Sequence, residues 1–93
     1  MESHSSYAED LIERGLIKQL EGNVDEAIVF YKTSLNIRPS AEAHTYLGWA
    51  LSLKGKYETA IQECIKAIAL NPSFGNPYND IGSYLMKTNR ISQ

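Results

Sequence analysis

Gly15, Gly48 and Gly82 stand 33 and 34 residues apart, each inside an apolar run that reads as helix. Glycine is less favourable there than alanine by roughly 1 kcal/mol, so its return at a fixed spacing needs a reason. Other residues keep the same period: Gly22 and Gly55, Ala27 and Ala60, and Pro39 and Pro72 are each 33 apart. Within both copies the second glycine follows the first by 7 residues, the alanine follows by 12, and the proline lies 12 further on. Self-similarity at this period marks stacked supersecondary units, each burying its apolar face against its neighbours, rather than one closed core.

Between these landmarks the apolar residues fall at helical intervals. In the second copy Leu47 and Leu51, then Ile61, Ile65 and Ile68, mark two amphipathic runs divided by Lys54-Gly55-Lys56. Start signals agree: Ser6 with Glu9 and Asn23 with Glu26 form capping boxes, Ser40 follows Pro39, and Asn76 precedes Pro77. Gly22 and Gly55 supply left-handed termini, and Pro39 and Pro72 forbid continuation of the second helices. The pattern predicts five helices near 7–21, 24–37, 41–54, 57–70 and 77–88. They form one domain over 7–93, with units at about 8–40, 41–74 and 75–93, behind a flexible N-terminus at 1–6. Gly15 and Gly48 facing Ala27 and Ala60 would let the two helices of each unit approach closely.

A formal net charge of -2 leaves no electrostatic footprint for nucleic acid or an anionic membrane surface. No apolar run approaches the roughly 18 residues that span a bilayer, and MESHSSYAED has neither the basic nor the apolar region of a leader. The single cysteine, Cys64, forms no internal disulfide. The expected setting is cytoplasmic.

The second copy holds His44, Leu47, Gly48, Leu51, Ala60, Cys64 and Pro72 in order; the first holds Leu11, Gly15, Ala27, Tyr31 and Pro39, and the third Tyr78, Ile81, Gly82 and Leu85. This pattern resembles the tetratricopeptide repeat signature. The resemblance implies an all-α, right-handed α-solenoid of antiparallel helix pairs, with two full repeats plus the first helix of a third. Departures are visible. His44 stands where the family usually has tryptophan, and Arg14 and Lys18 stand where it has leucine and tyrosine. Either the first helix lies at an open end, where long side chains keep their charges wet, or it is shifted so that Ile12, Leu16 and Leu20 are its buried stripe. Pro39 and Gly48 are nine apart against ten for Pro72 and Gly82, which predicts a tighter junction. The fifth helix reads as though a partner helix should follow, with TNRISQ as its beginning and the chain as a fragment; otherwise it is a solvating cap. A cap should be polar on its outer side, whereas Tyr84, Leu85 and Met86 give the fragment an exposed apolar strip open to another copy.

In that family the first helix of each repeat lines a concave groove holding an extended peptide or a helix. Carried over by position, the groove here comprises Glu9, Ile12, Glu13, Leu16 and Leu20, then Glu42, Thr45, Tyr46, Trp49 and Leu53, then Asn79, Asp80, Ser83 and Lys87. Independently, Thr45, Tyr46, Trp49, Ser52 and Leu53 form a stripe at three- and four-residue spacing. Trp49 reads either as an interface anchor or as packed against neighbouring helices. Members that grip the acidic tails of heat-shock chaperones carry lysine, asparagine and arginine where this sequence has Ile12, Leu16, Tyr46, Asn76 and Asp80. Glu9, Glu13, Glu42 and Asp80 instead make an acidic rim suited to a basic, apolar peptide or helix, or they are a solvated face. The expected function is a non-catalytic scaffold for another protein, the alternative self-assembly through the C-terminal helix into a homodimer.

Cys64 and His44 occupy places where the helices of one repeat face each other, the minimum for a thiol nucleophile. No third residue to orient the histidine is evident, and buried cysteine is usually inert. His4, His44 and Cys64 have no metal-ligand spacing, and Lys54-Gly55-Lys56 is a turn rather than a phosphate loop. No catalytic residue, metal or cofactor is expected.

Overall fold

The computed structural model describes residues 6–89. His4, the rest of residues 1–5 and the last four residues lie outside them, as does the Ser6 side chain and with it the first capping box. The chain forms α1 (Ser6–Leu20), α2 (Val24–Ile37), α3 (Ala41–Leu53), α4 (Tyr57–Leu70) and α5 (Asn76–Asn89), within a residue of the boundaries the glycines, prolines and caps predict. Ser6 is thus already helical, and Thr88 and Asn89 belong to α5 rather than to the start of a following helix.

Two glycine turns fold the pairs. Gly22 and Gly55 have φ of 90° and 80°, the left-handed region that glycine enters without a Cβ clash. The amide of Asn23 donates to the Lys18 carbonyl at 2.8 Å and that of Gly22 to Gln19 at 3.0 Å; Lys56 to Leu51 and Gly55 to Ser52 repeat both bonds. This is the Schellman arrangement, in which the last carbonyls of one helix find donors in the turn. It also explains a correction. Asn23 makes no side-chain cap, because the turn holds it at φ -91°, ψ 72°. Ser40, extended at φ -150°, ψ 151°, accepts from the Ala43 amide as expected.

α1 pairs with α2 and α3 with α4, while α3 also touches α1, α2 and α5, and α5 rests on α4 and α3. The result is an all-α solenoid, elongated at 54 × 29 × 17 Å. Central placement makes α3 the most buried helix, with Ala41, Ala43, Leu47, Gly48, Ala50 and Leu51 all inside. In α1 the buried stripe is Ala8, Leu11, Gly15 and Gln19, whereas Leu20 is 78% exposed. The helix thus keeps the register of the repeat rather than the shifted one: Arg14 is exposed beside Asp10, and Lys18 reaches Glu21 and Glu26. Only three residues join α2 to α3, against five between α4 and α5, which is the tighter junction that the spacing predicts.

The mid-helix glycines mark the close contacts. A Cβ on Gly48 would lie 3.0 Å from the Ala60 carbonyl oxygen and 3.5 Å from Cys64 Sγ, which places it against Ala60. A Cβ on Gly15 would meet not Ala27 but the Tyr31 ring, at 2.5 Å. Tyr31 is fully buried, its ring occupying the space a side chain at Gly15 would need, and its hydroxyl donates to Gln19 Oε1 at 2.6 Å. Burial, with Tyr46 adding, pushes the Tyr31 phenol well above its ordinary range. Around Gly82 a Cβ would meet nothing within 4 Å.

Candidate functional site

The short α2–α3 junction sets the geometry of a cleft within the expected groove. Ser34 Oγ donates to the Ala8 carbonyl at 2.8 Å in the interior, fastening the end of α2 to the start of α1. Pro39 restricts the residue before it to extended backbone, and Arg38 accordingly sits at φ -158°, ψ 119° with its amide donating to the Ser34 carbonyl. With α2 fixed in this way, α1 and α3 lie side by side and leave between them a cleft of about 430 Å3. Its apolar floor is Ile12, Leu16 and Tyr46, and Glu9, Glu13 and Glu42 stand at its edges. Tyr46 is braced from behind by the Tyr31 ring, stacked with centroids 6.0 Å apart.

Six of the expected groove residues, Glu9, Ile12, Glu13, Leu16, Glu42 and Tyr46, are thus gathered in one place. The others are not. Thr45 is buried, with its hydroxyl donating to the Ala41 carbonyl at 2.8 Å, so it presents nothing to a ligand. Trp49 is half-buried, and it and exposed Leu53 lie outside the cleft. Asn79 and Ser83 are exposed on α5, away from the cleft. Asp80, also outside it, is half-buried, and burial raises its carboxyl above the usual range. Ala8, Asp10, Arg38 and Ser40 line the cleft without having been expected there. The signal for the last two was the shortened Pro39–Gly48 interval, which draws the junction toward the start of the groove.

Behind the cleft, in the α3–α4 pair, His44 Nδ1 lies 2.7 Å from Glu63 Oε1, and Lys66 Nζ lies 3.2 Å from Glu63 Oε2. Glu63 is therefore a residue orienting the histidine, one that no spacing in the sequence pointed to. Burial pushes the Cys64 thiol up to about 12, with the Asp80 and Glu63 carboxylates adding to the shift. A thiol raised in this direction is held protonated near neutral pH, the opposite of the lowered value that activates a nucleophilic cysteine. Tyr84, expected on the exposed strip, is instead buried against Tyr57, with ring centroids 6.3 Å apart. Among the described residues no three His, Cys, Asp or Glu side chains converge as a metal site, and no helix is long and apolar enough to cross a membrane.

Comparison with known proteins places this arrangement. The tetratricopeptide repeat matches residues 11–40 and again residues 41–74. Over 83 residues the chain is 25% identical to the TPR repeat-containing thioredoxin TTL4 of Arabidopsis thaliana; the match covers 88% of this chain and 12% of that much longer protein. In structure it is similar to the second TPR of Spaghetti (RPAP3), solved bound to the HSP90 peptide SRMEEVD. That likeness has a TM-score of 0.87 at 22% identity, covers 96% of this chain and 83% of the other, and is one of fold. Two successive matches spanning residues 11–74, on helices paired as the repeat requires, make the chain a member of the tetratricopeptide repeat family.

Proposed function

We propose that the chain is a protein-interaction scaffold that holds a peptide or amphipathic helix of a partner protein against α1 and α3, without chemical turnover. The observation that carries this reading is the cleft itself, an apolar floor of Ile12, Leu16 and Tyr46 between carboxylates. A pocket of this kind binds by burying apolar side chains and selects by charge at its edges. The structural neighbour was solved with a peptide bearing two glutamates and an aspartate. Here the edges are themselves acidic, so the partner segment combines Lys or Arg with Leu, Phe or Met. Fluorescence anisotropy tests this with two labelled probes, a 14-residue amphipathic peptide of alternating lysine and leucine clusters and the peptide SRMEEVD. The cationic probe should bind, and Tyr46→Ala should weaken it about tenfold or more, as loss of a central aromatic contact does. Tighter binding of SRMEEVD, or a Tyr46→Ala variant that binds as well as the parent, overturns the reading.

A second reading, self-assembly through α5, is favoured by the open space around Gly82, where the same position in the other repeats meets a helix. Tyr78 and Leu85 flank it, both close to half exposed. Sedimentation over a wide concentration range should then reveal dimers that Leu85→Glu abolishes. A single monomeric species throughout removes this reading.

A further inference from the structure

Among the described residues, the charged side chains that line the cleft are four carboxylates, Glu9, Asp10, Glu13 and Glu42, and one cation, Arg38. Asp10 faces Arg14 of its own helix at 3.8 Å. Arg38 reaches from the α2–α3 junction across to the first helix, where its Nη2 lies 3.5 Å from Glu9 Oε2. The contact is long, made through one nitrogen, and about half exposed on each side, the kind of pair that contributes little to stability. The backbone beneath it is the opposite: extended by Pro39 and tied to Ser34, which is itself tied to Ala8. A fixed base thus carries a loosely held guanidinium at the mouth of an acidic, apolar cleft.

We infer that Arg38 is a built-in competitor for a cationic ligand of this cleft. It occupies Glu9 in the free protein and yields that carboxylate to a lysine or arginine of the bound segment. This rests on the cleft being the binding site, as proposed above, and adds what sets its charge selectivity. A guanidinium that must be displaced lowers affinity for a basic segment and tolerates an acidic one, so removing it widens the preference for cationic partners. The same exchange gives the ligand's registry: its basic residue lies at the Glu9 end, and its apolar residues continue over Ile12, Leu16 and Tyr46.

The test uses the full chain, the cationic lysine–leucine peptide and SRMEEVD. Arg38→Gln, which keeps length and loses charge, should bind the cationic probe about two- to fivefold more tightly at low salt, the range open to an exposed ion pair. Its affinity for SRMEEVD should stay unchanged or fall. Lys32→Gln, an exposed charge removed on α2 outside the cleft lining, should gain clearly less than Arg38→Gln, because it does not stand among the cleft carboxylates and acts only through the long-range field. The gain at Arg38 should vanish in 1 M salt. If the parent binds the cationic probe and Tyr46→Ala weakens it, yet Arg38→Gln binds no better, or Lys32→Gln gains as much, the competitor role is wrong while the cleft stands. If the parent fails to bind, or Tyr46→Ala is without effect, the cleft reading falls and the competitor role with it.

Discussion

Three glycines at one repeat position have three different surroundings, and these decide what an added methyl does. On helix propensity alone, glycine to alanine gains up to about 1 kcal/mol. At Gly15 the new Cβ meets the Tyr31 ring at 2.5 Å, and Tyr31 is fully buried with its hydroxyl held by Gln19, so it has nowhere to move. Overpacking there should exceed the gain, and Gly15→Ala should destabilise by about 1 to 3 kcal/mol. At Gly48 the neighbour is backbone, the Ala60 carbonyl oxygen at 3.0 Å, so alanine is tight and Gly48→Leu should destabilise more than any alanine at these three positions. At Gly82 the space is open, and Gly82→Ala should stabilise by up to about 1 kcal/mol. Thermal unfolding of the three alanine variants checks the order. Gly82→Ala falling with Gly15→Ala would mean that its face is covered in solution.

At the scale of the elements, the turns hold the pairs in place. Gly22 and Gly55 use left-handed backbone with nothing near a would-be Cβ, so Gly22→Ala and Gly55→Ala test conformational strain alone and should each destabilise by roughly 1 to 2 kcal/mol. The two N-caps should behave differently. Ser40→Ala removes an acceptor that holds the Ala43 amide at 3.1 Å and should destabilise by about 1 kcal/mol. Asn23→Ala removes no cap hydrogen bond and should lie within about 0.5 kcal/mol of the parent. Denaturant midpoints of the pair measure this difference. The sequence carries the same Asn-x-x-Glu motif that a working capping box would have, and only the backbone angles imposed by the preceding glycine turn decide against it.

For the molecule as a whole, the central position of α3 gathers buried protons into one region. Cys64 is raised from 9.0 to about 12 and Tyr84 from 10.0 to about 12, chiefly by burial, and Tyr31 is raised further. In each case the folded state holds its proton more tightly than the unfolded one. The stability this represents is fully present below the unfolded values and is lost as pH climbs from about 9 toward 12. The loss is ~1.4 kcal/mol per pH unit for each group ionised only in the unfolded chain. Urea unfolding between pH 8 and 11 should show this decline, and Cys64→Ala should delay its onset toward pH 10, where the tyrosines begin to ionise. An onset that stays at pH 9 in the variant would show that Cys64 takes no part.

The order of helices, their lengths and their pairing were legible in the sequence, because a glycine, an alanine and a proline returning at one spacing leave little else for a chain to do. The apolar floor of the cleft was legible too: Ile12, Leu16 and Tyr46 carry the helical register with them wherever the helices go. Local periodicity cannot fix distances between helices, and there the tertiary structure decided. It turned Thr45 and Tyr84 inward, left Trp49 and Leu53 outside the cleft, set Tyr31 rather than Ala27 over Gly15, and brought Glu63 to His44 across two helices. It also carried Arg38 from the end of one helix to the first residues of another. A residue's face follows from its own helix, but its neighbours depend on how the next helix lies against it, and a shift of one turn exchanges them.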